Sequence, residues 1–458
     1  MRLISALLLF AGSAAFAAET PPAPSAPRNF ELPPKDTRAL ANGLQMTFVE
    51  FGAVPKTAII AVLRAGNLNE GDKTWLADLT GELLKEGAGT RSANQIAEAA
   101  ASMGGSVNVA VDPDQTTISL DVLSEHGADA VALIADLLRR PQLPESELAR
   151  IRRDFQRQLA LARSEPDSLG NEAFLALLYP NHPYGKLFPT DAQLAGYTID
   201  EIRGFHRENF GAARTHIYVA GRFERATLEH AIEQGFGDWQ PGPAPLIRPP
   251  VGVSKRQIKL IDRPAAPQST IYLGLPAIDP SQQEYLQLSL TNSLLGGEFS
   301  SRITSNIREN KGYAYSPRSS LDVQYRTGYW LEEADVTTEH TGDSLKEIYA
   351  EIARLQREVP TAQELAGMQN YRAGIFVLQN ATRGALIGQL AYLDLHGLPD
   401  DYLTHLVERI YAITPDQVSA AARKYIRPEN MTLVIVGDLA KVRPQLQKVP
   451  ELQGLPLN

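Results

Sequence analysis

The chain has no cysteine in 458 residues. That one absence excludes structural disulfides, thiolate zinc sites, iron–sulfur clusters and a cysteine nucleophile. Positive charge is not in surplus: 44 Lys and Arg stand against 53 Asp and Glu, a net charge of −9. Nucleic-acid binders carry clustered basic surfaces, so no nucleic-acid partner is expected. Histidine is sparse, at His126, His182, His206, His216, His230, His340, His396 and His405, and no two lie three to five positions apart. A helical zinc pair needs that spacing to place both imidazoles on one face. Nucleophile-elbow and Walker patterns are missing as well.

Only the N-terminus carries a long apolar run. Met1-Arg2, the stretch Leu3 to Phe10 and the small residues ending Ala15-Phe16-Ala17 follow the order of a secretory signal. A membrane span needs about 20 apolar residues, and Gly12 and Ser13 interrupt this one. Residues 1–17 are therefore read as a cleaved signal peptide. The mature chain is expected across the inner membrane, in the periplasm, without stable membrane insertion.

What is present is ample apolar material, 43% of residues, punctuated by two Pro-rich segments. Residues 18–36 form a lead-in and residues 240–254 a linker, placing one domain at 37–239, a second at 255–450 and a tail at 451–458. The two domains look duplicated. Thr198-Ile199-Asp200-Glu201-Ile202 aligns with Thr414-Pro415-Asp416-Gln417-Val418, and the same displacement brings His216–Gly221 onto Thr432–Gly437. In each copy a Thr N-cap opens a helix and a short apolar strand ends at Gly. The first half reads as a strand over 57–63, a helix over 76–85, strands over 106–111 and 116–122 around Asp112-Pro113-Asp114, and long helices over 145–163 and 169–178. The predicted class is α+β: two homologous domains, each a mostly antiparallel sheet with helices on one face.

Two places bear chemistry. Asp78 and Glu82 share a face of the first helix, and a solvated face with Glu82 near Lys85 is the simplest account of them. The richer stretch is Leu294–Leu321, LLGGEFSSRITSNIRENKGYAYSPRSSL. Gly296-Gly297 permits a tight turn, Ser300 to Arg308 a helix, Gly312 a break, and Tyr313 to Ser316 entry into a strand.

This stretch resembles the C-terminal-domain signature of the pitrilysin-like M16 (inverzincin) metallopeptidases, with Arg308 at a helix end and Tyr315 seven residues later. Asn42-Gly43-Leu44, Leu76-Ala77, Glu86-Gly87, Thr90-Arg91-Ser92, Gly104-Gly105 and His182-Pro183-Tyr184-Gly185 fall in the family's order. Where active members carry H-x-x-E-H, this chain has Asp78-Leu79-Thr80-Gly81-Glu82, and on the helix expected to hold the distal ligand, 154–162, only Asp154 is acidic.

The resemblance implies an M16-like fold without its own zinc: a non-catalytic subunit of a heterodimeric zinc metalloendopeptidase. Zinc would sit in a homologous H-x-x-E-H-bearing partner. Arg308 and Tyr315 would contribute oxyanion stabilisation to that partner's site, and Gly296, Gly297, Arg308 and Tyr315 would contact the peptide substrate. The same residues admit a structural reading, with Arg308 pairing with Glu309 or Asp335, Tyr315 packed in the sheet and Gly296-Gly297 a plain turn. The functional alternatives are an inert scaffold of M16 fold and a stand-alone peptide-binding protein.

Overall fold

Six strands of the first half make one sheet: β1 (Lys35–Ala39), β2 (Gln45–Glu50), β3 (Lys56–Leu63), β4 (Asn108–Val111), β5 (Thr116–Leu123) and β6 (Thr215–Gly221), in the order β1-β2-β6-β3-β5-β4. They belong to a computed structural model that describes residues 29–457. The signal segment 1–17 and residues 18–28 of the lead-in lie outside the described residues. The helices of this half that matter below are α1 (Leu76–Leu84), α2 (Gly127–Arg139), α3 (Glu145–Ser164), α4 (Pro166–Leu178), α5 (Ile199–Asn209) and α6 (Arg225–Phe236).

The second half repeats the plan with five strands, β7 (Gln257–Asp262), β8 (Gln268–Ala277), β9 (Arg318–Gln324), β10 (Thr327–Thr337) and β11 (Thr432–Gly437), ordered β9-β10-β8-β11-β7. Its main helices are α7 (Tyr285–Asn292), α8 (Thr341–Arg357), α9 (Ala362–Gln379), α10 (Arg383–His396) and α11 (Pro415–Tyr425). The duplicated segments take equivalent places. Thr198 with Glu201 and Thr414 with Gln417 form capping boxes that open α5 and α11. The strands that follow, β6 and β11, each pair parallel with an earlier strand of their own half, β2 or β7, and antiparallel with the strand after it, β3 or β8. All other pairings in the two sheets are antiparallel, as the α+β assignment requires.

Helices on one face only is half of what is found. On β3, Ile59, Ala61 and Leu63 enter the core beneath the sheet's own helices, while Ala58, Ile60 and Val62 point the other way and are apolar too. A strand apolar on both faces cannot leave either one wet. The uncovered face is closed by the opposite half: Leu386, Ile387 and Leu390 of α10 pack on Val49, Ala58, Val62, Tyr218 and Ala220. Reciprocally, Phe174, Leu175 and Leu178 of α4 pack on Tyr272, Leu331 and Val434 of the second sheet. Both triplets are spaced i, i+1, i+4, one helical stripe.

Polar ties secure the exchange. Arg383 grips Asp121 at 2.9 and 3.0 Å, with Lys56 adding a contact to the same carboxylate at 2.8 Å. His216 Nδ1 lies 3.0 Å from Asp394, which also accepts from the Tyr218 hydroxyl. The Pro-rich segment has no regular element between Phe236 and Gln257, yet it is strapped down. Arg214 donates to Pro243 and Ala244 carbonyls at 2.8 and 2.7 Å, His182 Nε2 donates to Arg248 O at 2.8 Å, and Val253 N donates to Leu178 O at 2.9 Å. At the chain's far end Leu452 is buried in the second core, so part of the expected tail is packed.

Phe174 is fully buried between the halves, edge-on to Tyr329 at 5.7 Å. Phe174→Ala is expected to cost about 3–5 kcal/mol, seen as a lowered thermal midpoint with unchanged far-UV circular dichroism; a shift under about 1 kcal/mol would mean that α4 is not holding the second sheet.

Candidate functional site

The helix where the resemblance would place zinc begins in an unusual way. Trp75, its N-cap, has φ of 69°, a left-handed conformation that a bulky residue adopts only when its surroundings enforce it. Here Glu70 enforces it, accepting from Trp75 N and Ala77 N at 3.0 Å each. Asn67 Nδ2 donates to Asp78 at 2.7 Å and to Glu70 at 3.3 Å. Burial pushes the Glu70 carboxyl up to about 8, against the pull of the Ala77 and Trp75 N–H groups, with the Asp78 charge adding to the rise. Burial raises Asp78 as well. The expected solvated face therefore holds for Glu82, which pairs with Lys85 at 2.8 Å, but not for Asp78, which turns inward to Asn67. Asp154 pairs with Arg157 at 2.6 Å and Arg150 at 3.5 Å.

These donors do not fit a zinc ion. They are carboxylates already engaged by Lys, Arg or amide N–H groups, and no imidazole stands on α1; catalytic zinc is held by at least one histidine in the known ligand sets. Among the described residues no group of three or more His, Asp or Glu is placed to hold a metal.

The Leu294–Leu321 stretch is built from two π-helical turns, Ser293–Gly297 and Ser305–Asn310, joined through a short α-turn at Arg302–Thr304. Such turns recur at functional sites. Gly296 and Gly297 are required by close approach: a Cβ on Gly296 would lie 2.6 Å from Ser319 Oγ and 2.7 Å from Glu332 Oε2, and one on Gly297 2.8 Å from Asn292 Nδ2. The segment is pinned on its inner side. Arg302 forms a bidentate pair with Glu364 of α9 at 2.7 and 3.0 Å. Asn306 donates to Glu347 and Glu351 of α8 at 3.0 and 2.8 Å. Gly312, at φ +66°, ends the helical path. Tyr313–Ser316 does not enter a strand as expected. Only Ala314 bridges to Val336, and β9 starts after Pro317, which has no N–H to give a ladder.

Arg308 and Tyr315 come together. The Arg308 guanidinium carbon lies 5.2 Å from the Tyr315 ring centre and 4.4 Å from that of Phe299. Its Nε lies 3.1 Å from Glu309, one of the two partners the structural reading named; Asp335 instead accepts from Thr270. Tyr315 is 78% exposed and so is not packed in the sheet. Two residues here escape a motif reading. Phe299 is an exposed aromatic amid polar neighbours. Glu332 is fully buried behind Gly296 with both carboxylate oxygens unpartnered, and burial drives it well above the usual carboxylate range.

Comparison with known proteins agrees with this architecture. The family described as Insulinase (Peptidase family M16) matches residues 54–188, and Peptidase M16 inactive domain matches residues 196–371. The chain is 23% identical over 406 residues to the Bacillus subtilis (strain 168) protein named uncharacterized zinc protease YmxG, spanning 86% of this chain and 96% of that one. It is 24% identical over 440 residues to the Mycobacterium tuberculosis (strain H37Rv) protein named uncharacterized zinc protease Rv2782c, spanning 95% and 98%. The crystal structure of a peptidase M16 inactive domain from Pseudomonas fluorescens superposes with a TM-score of 0.81 at 25% identity, over 88% of this chain and 98% of that chain. A Helicobacter pylori protease shares the fold, with a TM-score of 0.82 at 17% identity over 89% and 100%.

The Glu70 carboxyl makes a prediction. Raised from 4.5 to about 8 in the folded chain, it is neutral there while ionised in the unfolded chain, so stability falls as pH rises through that window and levels off above it. Glu70→Gln removes the titration and keeps one of the two acceptor oxygens; the lost acceptor shifts stability by a constant and leaves the pH dependence as the readout. Between pH 5 and pH 8 the variant should gain on the order of 3 kcal/mol relative to wild type in denaturant unfolding; parallel stability curves would show that Glu70 is ionised throughout.

Proposed function

The chain belongs to the M16 peptidase family, and on that premise we propose that it is the non-catalytic subunit of a heterodimeric zinc endopeptidase, acting on peptides in the periplasm. The observation that carries this is the contrast between its two candidate sites. The carboxylates of α1 are committed to Asn67 and Lys85, whereas Arg308 and Tyr315 stand side by side on a rigidly anchored segment, with the Tyr315 ring in solvent. Zinc and its activated water would belong to a homologous partner carrying H-x-x-E-H. This chain's share is charge and hydrogen bonding.

Hydrolysis of a peptide bond places negative charge on the carbonyl oxygen, and donors aimed at that oxygen lower the barrier most when they are already in position. Arg308 supplies a planar guanidinium and Tyr315 a phenolic O–H. β9, an edge strand, begins just after Tyr315, so an extended peptide lying along it through backbone hydrogen bonds would pass the pair. Gly296 and Gly297 keep the neighbouring turn close to β9, where any side chain would collide with Ser319 or Asn292. An inert scaffold would have no use for an Arg/Tyr pair whose tyrosine stands in solvent.

The purified chain is expected to hold no stoichiometric zinc by elemental analysis after dialysis; about one tightly bound zinc per chain would overturn the subunit reading. With the zinc-bearing partner, Arg308→Ala and Tyr315→Phe should each lower turnover of an unstructured peptide roughly 100- to 1000-fold while the heterodimer, checked by size exclusion, stays intact. Full activity in both would leave the pair structural.

A further inference from the structure

Two arginines of the same segment meet different fates. Arg302 is buried and its fork is consumed by Glu364. Arg308 has one protein partner for its five N–H donors, Glu309 at Nε, at 3.1 Å; among the described residues no side-chain hydrogen bond takes up Nη1 or Nη2. A flexible side chain with one exposed ion partner would ordinarily sample many rotamers, because such pairs hold weakly. What restrains this one is aromatic: the guanidinium lies over two rings, Phe299 at 4.4 Å and Tyr315 at 5.2 Å.

Phe299 is the odd member. It is 64% exposed, so core packing does not account for a phenyl ring at this position, and the shorter of the two ring contacts is its own. A ring face engages the face of a guanidinium and leaves the in-plane N–H groups unspent. A contact of this kind restrains the Arg308 guanidinium without occupying its donors. We propose that Phe299 is a positioning residue for peptide recognition: it holds the Arg308 guanidinium so that the Nη edge is presented, already oriented, to a peptide carbonyl oxygen. The inference rests on the reading of Arg308 as a substrate-binding group, and adds that a neighbouring π face, rather than an ion pair, orients it.

The test uses the full chain and a fluorescein-labelled unstructured peptide rich in Ala, Leu and Ser, titrated by fluorescence anisotropy against wild type, Phe299→Leu, Phe299→Trp and Arg308→Met, with thermal midpoints measured alongside. Leucine keeps apolar bulk without the π face, and tryptophan offers a stronger one. The expected pattern is a roughly two- to fivefold weakening in Phe299→Leu, affinity equal to or above wild type in Phe299→Trp, the weakest binding in Arg308→Met, and midpoints unchanged across the set. If Arg308→Met weakens binding but Phe299→Leu matches wild type, or if Leu and Trp are impaired alike, the positioning role is wrong while the Arg308 reading stands. If Arg308→Met binds as wild type does, or wild type does not bind, both fall.

Discussion

Each sheet in this molecule is apolar on both faces but has helices of its own for only one. That imbalance is the constraint on which the architecture depends. Were the outer faces exposed, Ala58, Val62 and Tyr218 on one side and Tyr272, Leu331 and Val434 on the other would meet water. Lending a helix to the opposite half, α4 in one direction and α10 in the other, removes both patches at once. The buried triplets supply the non-directional attraction, and Asp121 and Asp394 set the register through their bonds to Arg383, Lys56, His216 and Tyr218. With the halves locked, α8 and α9 become a fixed platform, and the segment bearing Arg308 is anchored to that platform by Arg302 and Asn306.

Much of this was legible in the chain because it is local. Capping boxes at Thr198 and Thr414, the apolar run of β3, the alternation through β5, and the breaks at Gly312 and the Asp112-Pro113-Asp114 turn all act within a few residues, and the strands and helices expected in the first half fall within three residues of those found. The helix exchange was not legible. The stripe Phe174, Leu175 and Leu178 looks the same whether it covers its own sheet or another, and only three-dimensional placement decides. Asp78 failed for a related reason: its partner Asn67 lies in a separate 3₁₀ turn upstream of the helix, so helical spacing points only to Glu82.

At the candidate site the motif located Arg308 and Tyr315 but not what surrounds them. Helical periodicity cannot separate Arg302 from Arg308, since the difference lies in whether α9 offers a carboxylate; Glu364 does so for one and nothing equivalent does for the other. Glu332 could have been found. Continuing the alternation of Trp330, Ala334 and Val336 puts it on the core face, and a carboxyl there, behind a glycine with no room for a methyl group, marks the turn as tightly constrained.

The helix exchange also bears on how the protein is made. The first sheet has its last strand by Gly221, but the stripe that seals its outer face, ending at Leu390, is synthesised much later. Until that stripe docks, the first half carries an open apolar surface. The two halves are thus not separable modules: either one made alone would leave open the sheet face that the other half's helix covers.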